Sequence, residues 1–201
     1  MLRAQYRDPR VGRDLLVGIA LGVFLSMVSA AGTLVGELVS GTPAAPRLWN
    51  GVHLFGARHT LSGLLRILPN ALQGAMVATF AYVVLLALVR SRLIAIGIIS
   101  LLFIGVVLAE GSADELWATV VFALLLAGPL MYVFVRFGLL AAAAALAANQ
   151  ALHMAPLTLD LTRPYAVAST LCILTVVTAA VYAFYTSRAG VGLFRRLLPS
   201  P

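Results

Sequence analysis

Long uncharged runs divide this sequence and restrict the folds open to it. After Asp14 no ionisable side chain occurs until Glu37, and runs of similar length recur along the chain. A bilayer core requires about 20 consecutive apolar residues from each helix that crosses it. The chain is 62% hydrophobic and only 10% charged, whereas soluble domains carry about 25% charged residues. The sequence therefore predicts an all-α, polytopic integral membrane protein.

Six apolar runs are candidate membrane spans. They cover residues 15–36, 71–89, 93–109, 116–135, 137–153 and 165–187. The fourth and fifth runs are almost continuous, so we expect a tight turn at Gly138. The segment 41–70 is half polar and is interpreted as an extracytoplasmic loop. Within it, Leu61, Leu64, Leu65 and Leu68 follow helical spacing and predict a short interfacial helix, lying on the membrane or leading into the second span.

The distribution of arginines indicates the orientation of these spans. All fourteen basic residues are arginines. With six spans and a cytoplasmic N-terminus, ten arginines fall in inside segments and four (Arg47, Arg58, Arg66 and Arg163) fall outside. Cytoplasmic loops of membrane proteins carry an excess of basic residues. We therefore expect about six transmembrane helices with both termini in the cytoplasm.

The charged N-terminal stretch is expected to begin the first helix before the membrane. Asp8 is a suitable N-cap and Pro9 a suitable first helical residue. Arg10 and Asp14 are four residues apart and can pair on the helix surface. Arg7, Arg10 and Arg13 are predicted membrane-surface residues that interact with anionic head groups.

Small residues recur every four positions along the first span. Gly18, Gly22, Ser26 and Ala30 form this row, and Gly32 and Gly36 repeat the spacing. Such rows let helix backbones approach closely in lipid. The pattern predicts a helix-packing interface. Packing within this chain is the favoured interpretation, and contact with another membrane protein chain is the alternative.

The remaining polar residues give few candidates for chemistry. The histidines His53, His59 and His153 are weak candidates for tetrapyrrole binding, and no metal site is predicted because no ligand set has suitable spacing. Asn149, Gln150 and His153 form a polar patch that favours hydrogen bonding between helices. The sequence contains no HExxH, no GxSG and no paired-glutamate motif. We therefore expect no catalytic residues and no enzyme activity, and no ion-coupled transport is predicted because no charged pair occupies a span centre.

Four strings occur together in a familiar order: YRDPRVGRDLLVG, VFVRFGLLAAAAA, APLTLDLTRPYAVASTL and YAFYTSRAG. In this order they resemble the C-terminal multi-helix membrane region of bacterial transmembrane serine/threonine protein kinases. The resemblance runs from Tyr6 to Gly190 and is weakest over residues 41–70. It implies a multi-pass protein of the bacterial inner (cytoplasmic) membrane with a cytoplasmic N-terminus.

The kinase domain itself is absent from this chain, which lacks a Gly-rich loop, HRD and DFG motifs and any lysine. Phosphoryl transfer requires those parts. The resulting expectation is a non-catalytic membrane module, the anchor or sensor of a kinase-like signalling system. Its expected partners are the lipid bilayer and other membrane chains, without nucleic acid or cofactor. The alternatives are an accessory subunit of a larger membrane complex that carries chlorophyll or haem, and thirdly a small-molecule transporter.

Overall fold

The computed structural model of the chain describes residues 8–41, 57–110, 116–154 and 166–188. These residues form six α-helices, and no strand occurs among them. The helices are α1 (Pro9–Ser40), α2 (Ala57–Val89), α3 (Arg92–Glu110), α4 (Leu116–Phe137), α5 (Leu139–His153) and α6 (Ala166–Ser187). The predicted all-α class is confirmed. The ends of α3 to α6 lie within two residues of the ranges predicted from the sequence.

Three of the described helices, α1, α2 and α6, are long and apolar enough to cross a membrane. Large apolar side chains cover their outer surfaces; Leu65, Phe80 and Leu88 on α2 are each more than 70% exposed. A soluble protein does not expose an apolar surface of this extent. The chain is therefore membrane-associated, and the full six-span count stays a prediction.

The charged start of α1 has the predicted cap. Asp8 Oδ1 accepts a hydrogen bond from the Arg10 backbone N–H at 2.9 Å, and the helix begins at Pro9. The predicted N-cap is thus confirmed. The predicted pair of Arg10 and Asp14 is wrong, because Asp14 pairs instead with Arg13 at 3.1 Å. The Arg13 guanidinium also lies over the Phe137 ring.

The second helix begins earlier than the sequence analysis expected. A single helix, α2, runs from Ala57 through Pro69 to Val89, so residues 57–70 are helical rather than a loop. Proline removes one backbone donor from a helix, but such a break is tolerated in membrane helices because neighbouring groups satisfy the freed carbonyl. The predicted short helix is therefore the first part of α2. Residues 42–56, which include His53, lie outside the described part of the chain.

A glycine turn separates α4 from α5. Gly138 has φ +81°, a conformation that side chains with a Cβ rarely adopt. Its N–H donates to the Phe134 carbonyl at 3.0 Å, and its own carbonyl accepts from the Ala142 N–H at 3.2 Å. One helix therefore ends and the next begins around a single residue. The predicted tight turn at Gly138 is confirmed.

The short helix α5 is the centre of the bundle. It packs against α1, α2, α4 and α6. Its 15 residues extend about 22 Å. Six of them are buried alanines: Ala141, Ala142, Ala143, Ala145, Ala148 and Ala151. Because alanine adds only one methyl group to the backbone, four other helices can pack around α5 at close range.

Contacts between the helices fix their directions. Helix α1 runs parallel to α5, since Gly18 faces Ala141 and Gly22 faces Ala145. Helix α2 runs antiparallel to α5, since Gly63 meets Met154 near one end and Gly74 meets Leu146 further along. The start of α1 touches the end of α6 through Gly12 and Ser187.

One end of the bundle thereby collects most of the described arginines. These are Arg10, Arg13, Arg90, Arg92, Arg136 and Arg188, at the starts of α1 and α3 and at or just beyond the ends of α2, α4 and α6. We call this the basic end. The other two described arginines, Arg58 and Arg66, lie in the first third of α2, towards the opposite end.

Candidate functional site

The closest helix contact in the described bundle that involves the small-residue row is between α1 and α5. A Cβ placed on Gly18 would collide with the Ala141 carbonyl oxygen and lie 2.7 Å from the Ala144 Cβ. A Cβ on Gly22 would collide with the Ala145 carbonyl oxygen and lie 2.7 Å from the Ala148 Cβ. The two backbones therefore touch at positions where only glycine leaves room. This is the close approach that small residues allow in membranes, where packing and polar contacts replace the hydrophobic effect.

The small-residue row continues from this contact into a polar cluster. The Ser26 Oγ lies 3.0 Å from Asn149 Oδ1 and 3.1 Å from its own helix's Gly22 carbonyl oxygen. His153 Nδ1 lies 3.4 Å from the same hydroxyl and 2.9 Å from the Asn149 carbonyl oxygen. Three polar side chains on two helices thus share one hydrogen-bonded cluster, and we call Ser26, Asn149 and His153 the polar cluster.

The hydrogen bonds of the polar cluster decide its chemistry. A carbonyl oxygen can only accept, so His153 Nδ1 carries the hydrogen that it donates to the Asn149 carbonyl. The nitrogen that faces the Ser26 hydroxyl therefore has no lone pair with which to take a proton. A general base must also lie about 2.6–3.2 Å from its nucleophile, whereas this pair is 3.4 Å apart. The arrangement joins two helices.

The other members of the predicted row are placed differently. Ala30 is exposed, and Gly32 is partly buried. Of Gly36 only its place within α1 is described. Gly18, Gly22 and Ser26 contact α5. The small-residue row therefore contacts α5 over about two turns of α1. Helix α5 ends at His153, at the level of Ser26.

Two of the three histidines, His59 and His153, lie in the described part of the chain. His59 is exposed in the first turn of α2, and His153 is exposed in the last turn of α5. No group of three His, Cys, Asp or Glu side chains that could hold a metal ion occurs within the described residues. His153 has one ring nitrogen anchored on a carbonyl, and histidine ligands of metals commonly have such an anchor. Of the two described histidines, His153 is therefore the better placed for the tetrapyrrole alternative.

The residues of α5 that contact α1 are not among those predicted from the sequence. The facing surface is the alanine run of α5, especially Ala141, Ala144, Ala145 and Ala148. Alanines four residues apart are the same small-residue signal as the glycine row, and they could have been recognised. Gly12 was also missed as a contact residue. Its position in a charged string concealed that it meets the Ser187 backbone of α6.

Removal of the Ser26 hydroxyl tests the polar cluster. We expect Ser26→Ala to lower the free energy of unfolding by about 0.6 kcal/mol, the mean for hydrogen bonds between membrane helices. The matched control is Thr33→Ala, because Thr33 bonds to the Ala30 carbonyl of its own helix. A double-mutant cycle of Ser26→Ala with Asn149→Ala, followed by SDS-induced unfolding, measures the coupling. Strict additivity would contradict the direct contact.

Comparison with known proteins identifies no relative of this chain. No family model, no curated protein and no solved structure matches the chain.

Proposed function

We propose that this protein is a non-catalytic integral membrane module with six spans, acting as the anchor or sensor of a kinase-like signalling system. The observation that carries the proposal is the buried central helix. Helix α5 packs with four other helices, and its alanines Ala141, Ala145 and Ala148 are at most 5% exposed. Close backbone packing of this kind suits a rigid membrane scaffold.

The basic end supports our proposal for the orientation of the module. Six of the eight described arginines lie there, and an excess of basic residues marks the cytoplasmic side of a membrane protein. The start of α1 and the end of α6 meet at this end through Gly12 and Ser187. This supports our proposal that both termini lie in the cytoplasm of a bacterium, with the module in its inner membrane.

The signalling role rests on the resemblance of four sequence strings to the membrane region of bacterial protein kinases. In those kinases the catalytic domain precedes the membrane region on the cytoplasmic side. The basic end is where such a domain, or a separate partner, would meet this chain. We therefore propose a cytoplasmic signalling partner and a membrane module that holds it at the bilayer.

A second candidate function is an accessory subunit of a larger membrane complex that carries chlorophyll or haem. The observation that favours it is the exposed His153, whose Nδ1–H is anchored on the Asn149 carbonyl at 2.9 Å. This hydrogen bond leaves Nε2 as the nitrogen whose lone pair can bind the metal of a tetrapyrrole. The transporter alternative is less well supported, because the bundle centre is packed with alanine backbone rather than lined by polar groups.

Purification of the native protein in mild detergent tests these functions against one another. We expect a co-purifying chain with kinase motifs and no visible absorption band. An absorption band of a tetrapyrrole that is lost in His153→Gln and kept in His59→Gln would establish the second candidate instead. Substrate-dependent flux into proteoliposomes would establish the third.

A direct enzymatic assay tests the non-catalytic part of the proposal. The missing nucleotide-binding and metal-binding motifs lead us to expect no ATP binding in the micromolar range and no cleavage of model transmembrane substrates. Ser26→Ala serves as the variant control for proteolysis. Turnover by the wild type that this variant abolishes would overturn the proposal.

A further inference from the structure

The arginines of the basic end are poorly matched by acidic side chains. Six described arginines at this end face two described aspartates, and one of these, Asp8, also caps α1. The ion pair found among the described residues joins Arg13 to Asp14. Arg188 has no carboxylate partner within the described part of the chain, and its guanidinium lies over the ring of Phe184. Positive charge at this end therefore lacks its counter-charge within the described bundle.

Two of these arginines, Arg13 and Arg188, follow residues at which the backbones of α1 and α6 are in contact. A Cβ placed on Gly12 would lie 2.8 Å from the Ser187 Cα, so α1 and α6 are in backbone contact at this point. Arg13 follows Gly12, and Arg188 follows Ser187. We call this place, with Arg13 and Arg188 on either side, the arginine junction.

An aromatic ring lies beneath each of the two guanidinium groups. Arg13 Cζ lies 5.6 Å from the centre of the Phe137 ring, and Arg188 Cζ lies 5.1 Å from the centre of the Phe184 ring. These distances fit cation–π contacts. A guanidinium carries five N–H donors in its plane. A guanidinium stacked on a ring keeps its N–H edges for oxygen ligands. Arg13 donates from Nε and Nη2 to Asp14 Oδ1, so its Nη1 side remains for a further oxygen. Arg188 forms no ion pair with a carboxylate of the described residues, so its edges remain for the ligand.

We propose that the arginine junction binds the phosphate-bearing head group of an anionic phospholipid. Basic pockets between membrane helices bind such head groups. A lipid, rather than a soluble anion, is favoured by the adjoining surface of α6. Tyr182 and Tyr185 are 54% and 63% exposed there, and aromatic residues at such positions lie at the level of the lipid head groups. The proposal requires only that the protein is in a membrane, and it holds whichever function the module serves.

Lipid retention measured by native mass spectrometry tests the site. The wild type is released from micelles that contain equal amounts of phosphatidylglycerol and phosphatidylcholine with the same acyl chains. We expect selective retention of phosphatidylglycerol, reduced about five-fold in Arg188→Gln, since each arginine near an anionic surface contributes about that factor. The double variant Arg13→Gln/Arg188→Gln should retain the two lipids equally.

Two controls separate the arginine junction from a general attraction of basic residues to anionic lipid. Arg92→Gln removes the same charge from the same end, but Arg92 begins α3, which packs against α2 and α4. Arg66→Gln removes a positive charge from the first third of α2. Both controls should retain phosphatidylglycerol as the wild type does, and all variants should melt at the wild-type temperature in lipid-free detergent.

The contrary outcomes are specific. Equal retention of both lipids by the wild type, or an equal loss in Arg92→Gln, would overturn the site. Displacement of phosphatidylglycerol by inorganic phosphate at the same concentration would show that the occupant is a free anion, and the lipid assignment would fail. None of these outcomes bears on whether a signalling partner exists, so failure here is distinct from failure of the proposed function.

Discussion

Replacement of Gly22 by leucine is expected to destabilise the isolated protein strongly. The new side chain would begin at a Cβ that collides with the Ala145 carbonyl oxygen and lies 3.0 Å from the Asn149 backbone nitrogen. Both obstacles are backbone atoms of the central helix, so no side-chain rotation can relieve them. Overpacking in a close-packed interior costs about 1–3 kcal/mol, and backbone contacts lie at the upper end. We expect a clear fall in the melting temperature of the purified protein.

The matched control is the same substitution at Gly97. Gly97 is exposed on α3, and a Cβ there would meet no atom within 4 Å. Gly97→Leu should therefore leave the melting temperature unchanged. A second control is Phe24→Leu, because Phe24 is 46% exposed on α1. Unchanged melting of Gly22→Leu together with loss of a co-purifying chain would show that the glycine row binds a partner instead of α5.

Much of the helical organisation could be predicted from the sequence because its signals are local. A cap is set by Asp8 and the residues that follow it, and the α4–α5 turn is set by a single glycine with positive φ. Apolar runs locate α3 to α6 because a helix surrounded by lipid or other helices carries no charge along its length. These features depend on neighbours in sequence, so no knowledge of packing is required.

Features that depend on distant residues could not be predicted in the same way. The small-residue row of α1 predicts close packing against another helix, but it does not indicate that this helix is α5. Asp14 has two arginines nearby in sequence, Arg10 and Arg13. It pairs with Arg13, which also lies over the ring of Phe137, a residue far away in sequence. Pro69 was interpreted as part of a loop, yet the helix continues through it. Each of these features depends on how the helices pack together, and this packing cannot be predicted from a single sequence.

The central claim is a six-span membrane module with both ends on the cytoplasmic side, and cysteine labelling from outside the cell tests it most directly. Single cysteines are introduced at Gln5, Ser112 and Ser200 and exposed to a membrane-impermeant thiol reagent. The native Cys172 is fully buried, so its background should be low. We predict labelling at Ser112 and none at Gln5 or Ser200 until the membrane is opened. Labelling at Ser200 but not at Gln5 would require an odd number of spans and would contradict the account.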